Sequence, residues 1–136
     1  MIGVVDTNVL VSGVLKPYSP AASILRMVVE GVIQPAYDLR ILAEYREVLS
    51  RPKFNFEKEV VNSLIDQIEE DGFPVSGSFL KSPLPDPADE LLLEVAVAAA
   101  ADALITGHRR HFPRGSCDAV KILSPSEFLE MFRIGV

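Results

Sequence analysis

Asp6 stands directly after the apolar run Ile2 to Val5. A carboxylate at the end of a buried strand is costly unless a cation compensates it; the alternative is a helix N-cap for the turn that follows. Glu44 comes three residues after Ile41 and four before Val48, so it shares a stripe with apolar side chains, whereas Glu47 does not. A surface ion pair with Arg40 or Arg51 is the competing role for Glu44. Asp86, Asp89 and Glu90 gather where a Leu-rich helix begins, and capping with a dipole-favoured acid could account for them. Carboxylates drawn from three separate elements repel one another unless a divalent ion lies among them. An all-oxygen set suits Mg²⁺ or Mn²⁺. Such an ion can activate water and neutralise charge building on a phosphodiester.

Acids so far apart in the chain need a scaffold that collects them. Ile2 to Val5 predicts a buried strand. Ser19-Pro20 opens a helix through Ile24, Leu25, Val28 and Val29 that stops at Gly31, the expected crossover after that strand. Val32 to Tyr37 predicts a second strand, and Asp38 caps a helix that ends at Arg51-Pro52. Val60, Val61, Leu64, Ile65 and Ile68 mark an amphipathic helix within Glu57 to Asp71. Gly72 to Pro85 reads as a connection with at most one short strand, Phe73 to Val75. Asp86-Pro87 starts the Leu-rich helix. Strands at Ala103 to Thr106 and Val120 to Leu123 follow, and Ser124-Pro125 opens a last helix containing Phe128, Leu129 and Phe132. Alternating strands and helices predict an α/β fold: one domain over residues 1–136, with a central, mostly parallel sheet flanked by helices. Ligands of such a sheet collect beyond the carboxyl ends of its strands, where Asp6 stands.

The 136 residues are 49% hydrophobic, enough for one core. Thirteen basic against nineteen acidic side chains give a net charge of −6, which argues against holding nucleic acid by bulk charge. Cys117 is the one cysteine, and no histidine or cysteine cluster has zinc-ligand spacing, so a reducing cytoplasmic setting is expected. Met1 to Leu15 carries Asp6 and has no basic leader; Leu91 to Ala101 is interrupted by Glu94 and is shorter than the ~20 residues of a spanning helix. Neither a signal peptide nor a membrane span is expected.

Val4-Val5-Asp6-Thr7-Asn8-Val9-Leu10, Ile41-Leu42-Ala43-Glu44-Tyr45, Asp86-Pro87-Ala88-Asp89-Glu90-Leu91 and Ala101-Asp102-Ala103-Leu104-Ile105-Thr106-Gly107 together resemble the PIN-domain family of metal-dependent nucleases. The likeness runs over nearly the full chain and is strongest to the toxin components of bacterial and archaeal toxin–antitoxin pairs. It implies a PIN-like sheet, Mg²⁺ or Mn²⁺ binding and hydrolysis of RNA. Asp6, Glu44 and Asp89 would be the catalytic acids and, with Asp86, the metal ligands. The alignment leaves Asp86, Asp89 and Glu90 all open as the third acid. Thr7, Asn8 and Thr106 would support the site, Thr7 and Asn8 by fixing the turn and holding the first aspartate. Asp102, at the start of a strand, is expected to pair or cap there. Many members place a further aspartate two residues beyond the threonine, where this chain has His108. Imidazole supplies no negative charge and prefers softer ions than Mg²⁺, so His108 either ligates the metal or caps the strand end.

Arg109, Arg110, His111 and Arg114 follow at the same proposed sheet edge and could hold RNA phosphates, or form a solvated loop. Phe112 could stack a base, or anchor the loop with Pro113. An antitoxin protein is a further expected partner, and the apolar helices leave self-association open. Two other functions fit the residues less fully. One is a catalytically weakened PIN-like module that acts by binding a partner or RNA, with His108 as the mark of lost turnover. The other is a phosphotransfer enzyme of the haloacid-dehalogenase class, which Asp6-Thr7-Asn8-Val9 loosely resembles, although that motif carries an aspartate where Asn8 stands.

Overall fold

Val4 and Val5 are fully buried because their strand, β1 (Ile2–Val5), lies at the centre of a five-stranded sheet. A computed structural model of the chain describes residues 1–76, 84, 86–108, 111–112 and 120–133. After β1 come α1 (Thr7–Leu15), α2 (Pro20–Val29), β2 (Gln34–Tyr37) and α3 (Leu39–Leu49). A 3₁₀ turn (Pro52–Phe54), α4 (Lys58–Asp71), β3 (Phe73–Pro74) and α5 (Pro87–Ala98) follow, then β4 (Ala103–Ile105), β5 (Ile122–Leu123) and α6 (Pro125–Arg133). Strand order is β3-β2-β1-β4-β5, and every pairing is parallel. This is the expected α/β fold with a central parallel sheet flanked by helices.

The order has a direct consequence for the site. From β1 the chain builds outward through β2 to β3, then returns to the other side of β1 for β4 and β5. Connections leaving β1 and β4 therefore diverge, and the crevice at their carboxyl ends is the place where an open parallel sheet accepts a ligand. Asp6 follows β1 and Thr106 follows β4.

The expected single crossover helix between the first two strands is in fact two helices. Asp6 caps α1, which begins at once. Three valines and Gly13 give α1 weak intrinsic propensity, so its sequence does not advertise a helix; burial of Val9, Leu10 and Val11 supplies the stability instead. Gly13 permits the close approach of α2, since a Cβ there would stand 2.6 Å from Leu25 Cδ1. Ser19, Asp38 and Asp86 cap α2, α3 and α5 through their side chains, as their positions predict.

α5 contacts β1, β2 and β4, and its apolar surround explains its Leu-rich sequence. Glu94, midway along it, is only 6% exposed. Arg40 compensates it: one guanidinium nitrogen lies 3.1 Å from Glu94 and another 2.8 Å from Asp38, joining the start of α3 to α5. Among the described residues, no helix is long and apolar enough to cross a membrane.

Candidate active site

Asp6 is buried at the end of β1, and both of its oxygens are held. Thr106 Oγ1 donates to Oδ2 at 2.7 Å, and the Asn8 backbone amide donates to Oδ1 at 3.3 Å. The first of these bonds spans the switch point between β1 and β4. Tyr45, fully buried on α3, donates its hydroxyl to the carbonyl of Val5, the residue before Asp6. Burial and then the charges of Asp6 and Glu44 push that hydroxyl's pKa well above its ordinary value, so it stays a donor.

Glu44 is half-buried and does not pair with Arg40 or Arg51. Arg40 serves Asp38 and Glu94, and Arg51 holds Glu47 at 2.9 Å. Glu44 Oε2 instead accepts from Thr7 Oγ1 at 2.7 Å. The support expected from Thr7 and Asn8 is thus differently divided. Thr7 orients the second acid, not the first, and Asn8 serves Asp6 through its backbone while its side chain is exposed.

Three acids competed for the third place, and geometry separates them. Glu90 Oε1 accepts from the Leu84 amide at 2.6 Å and does not line the cleft. Asp86 caps α5 through the Ala88 amide at 2.9 Å, yet its side chain also borders the cleft. Asp89 borders it too and is 7% exposed. Burial pushes the Asp89 carboxyl above its ordinary value, the charge of Asp86 adds to that, His111 opposes it, and Asp6 adds a smaller push.

The resulting cleft, about 250 Å³, is lined by Asp6, Glu44, Asp86 and Asp89, with Thr7 and Asn8 beside them. His108, His111 and Arg51 complete its polar wall. His108 is exposed and its backbone amide donates to Thr106 Oγ1 at 3.0 Å, which closes the end of β4. His111, which sequence reasoning placed only among possible phosphate contacts, sets Nδ1 3.1 Å from Asp89 Oδ2. Its isolation in sequence from the acids gave no signal of this. Phe112 is buried in the core, which favours the loop-anchor role over base stacking. Arg109, Arg110 and Arg114 lie outside the described residues. Asp102 accepts from the Ile2 amide at 2.9 Å, away from the cleft.

Among the described residues, no group of three or more His, Cys, Asp or Glu side chains is yet gathered closely enough to hold a metal ion. The chemistry of the donors nevertheless fits one. Four carboxylates border one cleft, Arg51 on its wall is engaged by Glu47, and the charge of Asp86 adds to the burial that pushes Asp89 up. Closure onto an ion would need side-chain movement of these acids.

An open parallel α/β sheet with an acidic cleft at its switch point defines the general class of this protein. The family model for the PIN domain matches residues 3–110, a span that holds all four cleft carboxylates, and the chain belongs to the PIN-domain family. The fold is accordingly of the nuclease type; PIN domains generally use divalent metals and act on nucleic acids. That membership sets aside the dehalogenase-like reading of Asp6. No curated protein matches the sequence.

Proposed function

We propose that this protein is a metal-dependent endoribonuclease, the toxin of a toxin–antitoxin pair, with residues 1–136 forming one catalytic domain. The observation that carries the reading is the convergence of Asp6, Glu44, Asp86 and Asp89, from three separate parts of the chain, on one cleft at the switch point.

Asp6, Glu44 and Asp89 would hold Mg²⁺ or Mn²⁺, with Asp86 at the rim. A bound divalent ion supplies positive charge to a phosphoryl oxygen and makes water a competent nucleophile at neutral pH. Thr106 and the Asn8 amide fix Asp6, and Thr7 fixes Glu44, so two of the acids are oriented before any ligand arrives. Asp89, kept from water like Asp6, gains from a cation that offsets its burial. The antitoxin is proposed from the resemblance to family toxins, and a cytoplasmic location from the single cysteine, Cys117. RNA would approach the cleft at the carboxyl edge of the sheet, and Arg109, Arg110 and Arg114 are the phosphate contacts proposed from the sequence.

A weakened module acting through partner or RNA binding is the second reading, favoured by His108 in place of an acid. One experiment separates the two: calorimetric titration of Mn²⁺ and Mg²⁺ into the wild type and Asp6→Asn, with cleavage of a labelled single-stranded RNA by the same samples. The nuclease reading expects metal-dependent cutting that falls more than about a hundredfold in the variant. Metal binding without cutting in the wild type would support the binding module, and equal cutting by both proteins would overturn the assignment of Asp6.

A further inference from the structure

His108 and His111 border the carboxylate cleft from the segment after β4. Their rings stack, with centroids 5.0 Å apart and planes inclined by 13°. His111 Nδ1 lies 3.1 Å from Asp89 Oδ2. Two neighbouring donors on an octahedral ion, with bonds of about 2.1–2.2 Å, are themselves about 3.0 Å apart. The Asp89–His111 separation therefore has the length of one edge of a coordination shell, and a cation would replace the hydrogen between them once both groups turn their lone pairs toward it.

Donor type then decides which cation. Mg²⁺ demands oxygen ligands and gives up its water reluctantly, whereas imidazole nitrogen suits first-row transition ions. An acid at position 108 would have left His111 as the one imidazole on this wall; two imidazoles change its character further. We infer that His111, with His108 beside it, makes the cleft a mixed nitrogen–oxygen site that holds transition ions such as Mn²⁺ and Co²⁺ in preference to Mg²⁺. This rests on the metal-dependent reading above and goes further by assigning His111 as a ligand and the ion's class. The competing role for His111 is an ion-pair partner that merely covers Asp89. In that case its removal would weaken all divalent ions alike, or none.

The test is calorimetric titration of Mn²⁺, Co²⁺ and Mg²⁺ into the full chain, for the wild type, His111→Gln and His108→Asp, with visible spectra of the Co²⁺-loaded samples. Both histidines are exposed, so neither change removes core packing. Wild type should bind Mn²⁺ and Co²⁺ at least about tenfold more tightly than Mg²⁺, and His111→Gln should narrow that ratio by about tenfold or more. His111→Gln should also shift the Co²⁺ absorption bands, since a nitrogen ligand is lost. His108→Asp should raise Mg²⁺ affinity, and it reports independently if His111→Gln does not fold. An unchanged ratio and an unchanged Co²⁺ spectrum in His111→Gln would overturn the nitrogen-ligand assignment and leave the metal-dependent reading standing. Equal wild-type affinity for Mg²⁺ and Mn²⁺ would do the same. Absence of binding by every ion would overturn both.

Discussion

Asp89 shows what it costs to bury a carboxylate on the wall of a cleft. Its pKa is held up chiefly by burial, so the charged form opposes folding. For an acid raised in the folded state, that cost is full above the folded pKa and fades as pH falls through the ordinary value of 3.8. In metal-free buffer at pH 7, Asp89→Asn should therefore melt at a higher temperature than the wild type. The gap should close on acidification to pH 3.5, and thermal scans with a chelator present would show it. A variant that melts lower at pH 7 would mean that the His111 contact outweighs the burial of charge. Position 89 was legible in the sequence as one of three adjacent acids, but its burial was not. Glu90 and Asp89 are neighbours on one helix turn, and only the packing of α5 decides that one meets the Leu84 amide and the other the cleft.

At the scale of elements, α3 and α5 carry Glu44 and Asp89, and Arg40 joins them through Glu94. Arg40 is about half exposed while the Glu94 side chain is 8% exposed. Removing the arginine strands two nearly buried carboxylates, Glu94 and Asp38, whereas removing Glu94 as well leaves only Asp38 without its partner. Because water reaches Arg40, the penalty falls below that of a fully buried pair. Arg40→Met should cost about 1–3 kcal/mol in urea unfolding, and the Arg40→Met/Glu94→Leu double variant should recover part of it, the share that Glu94 and not Asp38 contributes. Equal losses in the single and double variants would show that packing, not charge, holds these helices together. The same scale explains why α1 escaped sequence reasoning and α2, α3 and α5 did not. Those three announce themselves through capping residues acting within a few positions. α1 also has a capping acid, but its buried faces leave no polar stripe to give it a period.

For the whole molecule, a metal that binds only the folded chain must stabilise it. Mn²⁺ at about one hundred times its dissociation constant should add about 2.7 kcal/mol, a rise in melting temperature of roughly 10 °C for a domain of this size. Chelation should reverse the rise and Asp6→Asn should abolish it; a rise of equal size in Asp6→Asn would place the ion elsewhere. The sequence by itself determined the strand ending at Asp6, the caps of α2, α3, α5 and α6, the alternation that makes a parallel α/β sheet, and the resemblance to PIN domains. These are properties of short segments, set by side-chain periodicity and by hydrogen bonds within a few residues. Tertiary structure alone decided which groups meet across the sheet. Thr106 reaches Asp6 across 100 residues of chain because β4 lies beside β1, and His111 reaches Asp89 where the segment after β4 approaches the start of α5. Such contacts follow from strand order and packing, which no local pattern specifies.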